Sequence, residues 1–240
     1  MDGTLADLSA AYADIEDRLF GAEEAEHERP APEAREAEQH LEAEAEQYLD
    51  PGQKPAPKPV RRRPAGRRRR TQGHRDLIWR AIEATPNFWT TLRPIEPGAV
   101  ERLYQLTGEL NWEVFFITQR PGTAGRTVQW QTHKWLVEQG FLTPSVIPLS
   151  GGRGKAASAL RLDYLVDDTP QNCLDVLADS AARSILLVDP HDPHAANSAR
   201  RLGIGTAHDI QQVLDLLVQA TEARTNPSLF EKLRKLVGWK

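Results

Sequence analysis

Apolar positions along the chain change their period several times, and the changes divide it into elements. Near the N-terminus, Leu5, Leu8, Tyr12, Ile15, Leu19 and Phe20 recur at helical spacing, which predicts an amphipathic helix after the first few residues. From about residue 22 to 73 large apolar side chains almost vanish, apart from Leu41, Tyr48 and Leu49. Globular patterning returns at His74. RDLIWRAIEATPNFWTTL reads as helix, turn, helix, and PGAVERLYQLTGE places Pro97 near a helix N-terminus. Four short apolar runs follow: VFFIT (114–118), SVIPL (145–149), YLVDD (164–168) and SILLVD (184–189). Helical stretches near 123–139, 154–161, 170–181 and 194–202 alternate with them. Continuous apolar runs suit strands covered on both faces, and the alternation predicts an α/β fold with one doubly wound parallel sheet. Two more helices are expected near 208–222 and 227–237.

Charge changes the picture only in the apolar-poor stretch. The net charge of −4 hides two opposite blocks. Glu23 to Asp50 holds eleven acidic residues against Arg29 and Arg35, whereas Pro51 to Arg75 holds ten Lys or Arg and no acid. Neither block has the apolar surface to offset the entropy of ordering itself, so residues 22–73 are expected to form a disordered insertion, with room for a charged helix near 33–49. The expected organisation is then a core beginning at 1–21, the insertion, a small helical cap at 74–96, and the remaining core with C-terminal helices at 97–240. Cys173 is the single cysteine, which excludes an internal disulfide and a cysteine zinc cluster and fits a reducing compartment. With no signal-peptide pattern and no run of eighteen apolar residues, a cytoplasmic protein without a membrane span is expected.

In doubly wound sheets ligands bind beyond the carboxyl ends of the strands. The polar residues expected there are Asp2 in MDGTLAD, Thr118 in FFITQRP, Lys155 in SGGRGKAA, and Asp167 with Asp168 in YLVDDTPQN. Adjacent carboxylates at a strand end are costly unless paired or bound to a cation. Mg²⁺ suits them, since it takes one or two carboxylates plus phosphate oxygens and water. A lysine and a threonine nearby match a phosphate, as point charge and hydrogen-bond donor.

The order DGTLAD, apolar strand ending in Thr, Lys, apolar strand ending in DD resembles the haloacid dehalogenase-like phosphohydrolase superfamily. Within it, PNFWTTLRPIEPGAVERLYQL followed by VFFITQRP and HKWLVEQGF is similar to the 5′(3′)-deoxyribonucleotidase, or 5′-nucleotidase C, group. The resemblance covers residues 1–21 and about 76–190. It implies a nucleophilic aspartate that forms an aspartyl-phosphate, and a second aspartate two residues on that protonates the leaving group and then activates water. Asp2 matches the second aspartate. By resemblance Thr118 holds phosphoryl oxygens, Lys155 neutralises charge, and Asp167 with Asp168 and Asp2 forms the Mg²⁺ site. The implied substrate is a phosphorylated small molecule, with nucleotides favoured.

One departure is severe. The superfamily motif is Asp-x-Asp-Gly-Thr, and Met1 stands at x, so the nucleophile and the apolar strand before it are absent. That strand is central in the superfamily, and its loss is expected to leave two neighbours without pairing partners. Met1 is the only methionine, the pattern that a start assigned to an internal Met produces. The expectation is a truncated enzyme, with a genuine, inactive short form as the alternative.

Other readings stay open beside these. Asp167–Asp168 alone fits a strand-to-helix turn, Lys155 a solvated surface, and Thr118 the cap of the turn into QRPG. Phe88 and Trp89 are candidates to line a substrate pocket, although Phe88, Trp89, Trp130 and Trp135 also fit a helical core. Gln119 and Arg120 lie just beyond Thr118, where substrate contact and an exposed loop are both consistent. His191 and His194 lack an evident third metal ligand. RRRPAGRRRR suits nucleic acid or an anionic surface, but no aromatic residue is interleaved for base stacking. Three functions are therefore weighed: a Mg²⁺-dependent phosphomonoesterase, a catalytically silent binding or scaffold protein of the same fold, and a nucleic-acid-associated protein. The sequence does not fix an oligomeric state.

Overall fold

The computed structural model describes residues 1–27 and 72–224. The expected insertion lies almost wholly outside these residues, as does the helix expected near 227–237. Two compact units are formed, one of residues 1–12 and 81 onward, the other of residues 13–80. In the second unit Phe20 stacks on His74 at 4.4 Å, and Ile15 and Ile78 are buried. The helices from which this unit draws are α1 (Leu8–His27) and α2 (Gln72–Ala84). Helix α1 runs beyond residue 22, where the insertion was expected to begin. Among the described residues no helix is long and apolar enough to cross a membrane.

The first unit is built by strand–helix alternation. In order come α3 (Ala99–Leu110), β1 (Phe115–Thr118), α4 (Val128–Glu138), β2 (Ser145–Pro148), α5 (Arg153–Ala159), β3 (Tyr164–Asp167), α6 (Pro170–Asp179), β4 (Arg183–Leu187), α7 (Pro193–Arg201), β5 (Gly205–Ala207) and α8 (Ile210–Ala223). Among the described residues these strands pair in parallel: β1 with β2, and β4 between β3 and β5. The α/β class and the parallel, helix-covered strands follow the apolar runs. Alternate residues of β3 and β4 face opposite layers. Val166, Ile185 and Leu187 pack with Val213, Leu216 and Ala220 of α8, while Leu186 packs with Cys173, Ala196 and Ala199 of α6 and α7. The one continuous apolar run is thus read by two helical layers.

Three details depart from the sequence reading. Among the described residues the strands form two sheets rather than one, with no ladder between β1 and β3, the two neighbours expected to lack a partner when the central strand is missing. Between those two strands lies a cavity of about 460 Å³, lined by Phe115, Phe116 and Ile117 on one side and Tyr164 to Asp167 on the other, with Val213 and Leu217 of α8. The second cap helix shrinks to a single 3-10 turn at Phe88–Thr90. Asn87 enters it in the left-handed region (φ 55°), its N–H donating to Ala124 O and its Oδ1 accepting from the Arg126 N–H. A tertiary contact therefore fixes that turn rather than helical periodicity. Finally β5, three buried residues beginning with glycine, carries no apolar run that a pattern would reveal.

Candidate active site

The carboxyl ends of β1 and β3 deliver Thr118 and Asp167, the position that parallel sheets reserve for ligands. The turn at Asp2–Gly3–Thr4 meets them from the far end of the sequence. Met1 O accepts from the N–H groups of Leu5 (2.8 Å) and Ala6 (3.1 Å), which closes the turn, and Gly3 sits at φ 71°. Glycine is required there for a second reason: a Cβ on Gly3 would stand 1.9 Å from Asp168 Oδ2. The Asp168 carboxylate therefore rests on the bare backbone of the turn, and Thr4 Oγ1 donates to its Oδ1 at 3.4 Å.

Asp167 is buried and held on both sides. Its Oδ1 accepts from the Thr169 N–H and from Asn172 Nδ2, each at 2.9 Å, and its Oδ2 faces Arg153 Nε at 3.7 Å. Asp168 beside it is exposed at the strand end. Partial desolvation, and after it the charge of Asp167, raise its carboxyl above the usual range. Two adjacent carboxylates at a strand end are the donor set of a hard cation, and the cradle on Gly3 leaves Asp168 facing the turn. These two residues fit Mg²⁺, which needs few protein ligands when substrate and water complete its shell. No group of three or more His, Cys, Asp or Glu among the described residues is disposed to hold a metal.

Asp2 is placed differently from the pair. Arg120 Nε donates to Asp2 Oδ1 and Oδ2 at 2.9 and 3.0 Å, and Nη2 to Oδ1 at 2.5 Å. The Arg120 side chain is fully buried, Nη1 donates to Thr132 Oγ1 at 2.9 Å, and the guanidinium lies over the Trp89 ring at 4.8 Å. The Asp2 carboxylate is thus committed to a forked clamp, and it does not complete the Asp167–Asp168 pair.

The remaining expected residues divide. Thr118 is buried and its Oγ1 has no hydrogen-bond partner, a deficit of about 1–3 kcal/mol that a bound oxygen would relieve. Gln119 is exposed next to it. Phe88 and Trp89 are buried in edge contact at 5.0 Å, Trp89 Nε1 donates to Pro121 O, and the Trp89 N–H donates to Gln131 Oε1. They form a wall behind Arg120 rather than an open face.

Lys155 is exposed. On α5 the buried positions are Arg153, Gly154 and Ala157, one helical face, and Lys155 lies about 200° round from Arg153. Gly154 sets that face, since a Cβ there would stand 2.1 Å from Asp175 O of α6. The cation facing the carboxylates is Arg153, whose Nη1 is buried without a partner. Arg153, Thr132 and Asn172 were not singled out in the sequence. The available signal was SGGRGK itself, where two cations two residues apart on a helix cannot both face inward.

Comparison with known proteins bears on these residues. No curated protein and no solved structure matches the chain. The family described as 5′ nucleotidase, deoxy (pyrimidine), cytosolic type C matches residues 68–223, which include Thr118, Arg120, Arg153, Asp167 and Asp168 but not Asp2. Matched over more than half of its length, this chain belongs to that 5′-nucleotidase family.

Proposed function

We propose that the site hydrolyses phosphomonoesters, with nucleoside monophosphates as substrates and Mg²⁺ as cofactor. The observation that carries the reading is the seat of Asp168 on Gly3, which unites a DGT turn and a DD strand end separated by more than 160 residues. Family membership supports the nucleotide class. Thr118 Oγ1 would donate to a phosphoryl oxygen, a role supported by its being buried and unpartnered at the end of β1. Asp167 and Asp168 would hold Mg²⁺, which supplies charge neutralisation as the phosphoryl group transfers. Asp2, held in one orientation by Arg120 with its oxygens as acceptors, would serve as the base that takes the proton from the attacking water.

The nucleophile is a carboxylate that position 1 does not supply. An apolar strand ending in that carboxylate would lie in the cavity of about 460 Å³ between β1 and β3. Phosphate release from a panel of nucleoside monophosphates tests the reading. The chain starting at Met1 should show no turnover with Mg²⁺. The same chain preceded by an apolar strand ending in Asp should turn over, and its Asn counterpart should not. Robust turnover by the Met1 form would sink the nucleophile assignment, and silence of all three would sink the activity.

A further inference from the structure

We infer that Arg120 decides which divalent cation the carboxylates accept: by taking both oxygens of Asp2 it keeps a third carboxylate off the metal and favours Mg²⁺ over Ca²⁺. The inference rests on the Mg²⁺-dependent reading and goes beyond it in naming a specificity-determining residue. Three carboxylates come to this end of the fold. Asp167 and Asp168 are adjacent at the end of β3, and Asp168 rests on the bare backbone of Gly3, the residue that follows Asp2. Yet among the described residues no three such groups are disposed to hold one metal ion. The clamp is what commits Asp2 elsewhere, with Arg120 Nε donating to its oxygens at 2.9 and 3.0 Å and Nη2 at 2.5 Å.

The clamp is itself held on every side. Arg120 is fully buried, Nη1 donates to Thr132 Oγ1 at 2.9 Å, and Trp89 lies under the guanidinium. Trp89 is fixed in turn, its N–H donating to Gln131 Oε1 and its Nε1 to Pro121 O, each at 3.0 Å. The fork therefore has one orientation, and Asp2 takes its direction from it. The Asp2 side chain is 22% exposed, so a carboxylate released from the fork would remain at the surface of the turn, next to Gly3 and Asp168. The two ions differ in what they ask of such a group. Ca²⁺ takes about six to eight oxygens in flexible geometry, and its affinity grows with the number of charged ligands. Mg²⁺ dehydrates reluctantly, keeps several waters and needs only one or two carboxylates. A third carboxylate freed beside the pair thus gains more for Ca²⁺ than for Mg²⁺.

The ratio of the two affinities separates this role from a structural one. Calorimetric titration with Mg²⁺ and with Ca²⁺ at constant ionic strength would be run on wild type, Arg120→Gln, Arg120→Lys and the double variant Arg120→Gln/Asp2→Asn. Circular dichroism melting would confirm folding. Wild type should bind Mg²⁺ more tightly than Ca²⁺. Arg120→Gln should tighten Ca²⁺ by roughly tenfold and Mg²⁺ by less, so that the preference narrows or reverses. Loss of the guanidinium charge alone would tighten both ions alike, and a merely loosened fold would weaken both. Arg120→Lys keeps the charge without the fork and should narrow the ratio by a smaller factor. The double variant has no carboxylate to release and should return to the wild-type ratio. An unchanged ratio in the single variants, a change that persists in the double variant, or a wild type that prefers Ca²⁺ overturns the inference while the phosphomonoester reading stands. A wild type that binds neither ion overturns the Mg²⁺ site and the inference with it.

Discussion

Replacing Arg120 by Ala tests the central clamp. The guanidinium is fully buried while the Asp2 side chain is 22% exposed, so the substitution leaves a carboxylate that water reaches only in part. Removing one partner of a buried ion pair costs about 3–5 kcal/mol, and the exposure of Asp2 puts this pair at the low end. The change also orphans Thr132 Oγ1 and removes the cation from the face of Trp89, a contact of about 0.5–2 kcal/mol. Water entering the vacated space offsets part of these losses, so a net of about 3 kcal/mol is expected. In a fold of this size that lowers Tm by about 6–12 °C.

The assay is thermal and urea unfolding of wild type, Arg120→Ala, Asp2→Ala and the double variant. The cycle should return a coupling of about 1.5–3 kcal/mol, since each single change leaves the other charge stranded. Arg120→Lys should recover little, because an ammonium cannot bridge both Asp2 oxygens and Thr132 together. A Tm loss below about 2 °C with no coupling would refute the reasoning, for a buried clamp cannot be silent.

Two further outcomes follow from burial and charge. Cys173 is fully buried on α6, and burial, with smaller contributions from Asp167 and Asp168, pushes its thiol up to about 12; iodoacetamide at mild alkaline pH should label it only in denaturant, and rapid labelling of the native chain would contradict its placement. The raised pKa of Asp168 means that the folded state holds this proton more tightly than the unfolded chain. The stability it contributes is complete below the ordinary carboxylate value of 3.8 and is lost as pH rises through the raised value. In EDTA, wild-type stability should therefore fall over that span relative to Asp168→Asn, and parallel profiles would show that the shift is absent.

Much of the fold was legible because the apolar runs at VFFIT, SVIPL, YLVD and SILL each build a strand, β4 with three consecutive buried residues and β1 and β3 with buried residues at alternate positions. The strand-end chemistry was legible for the same reason: a run that stops in Thr or Asp places that residue at the ligand edge. What the sequence could not decide were matters of facing and partnership. SGGRGK offers two cations, and only the approach of Gly154 to α6 turns Arg153 inward and Lys155 out. Phe88 and Trp89 offer aromatic surface, and only the fold buries it behind Arg120. The missing central strand foretold that two strands would lack a partner, and only the fold shows that they are β1 and β3, apart across a cavity. Local pattern determines which residues form elements and where they end; long-range packing decides which side chain of a polar cluster faces the site, because burial on a helix turns on neighbours far away in sequence.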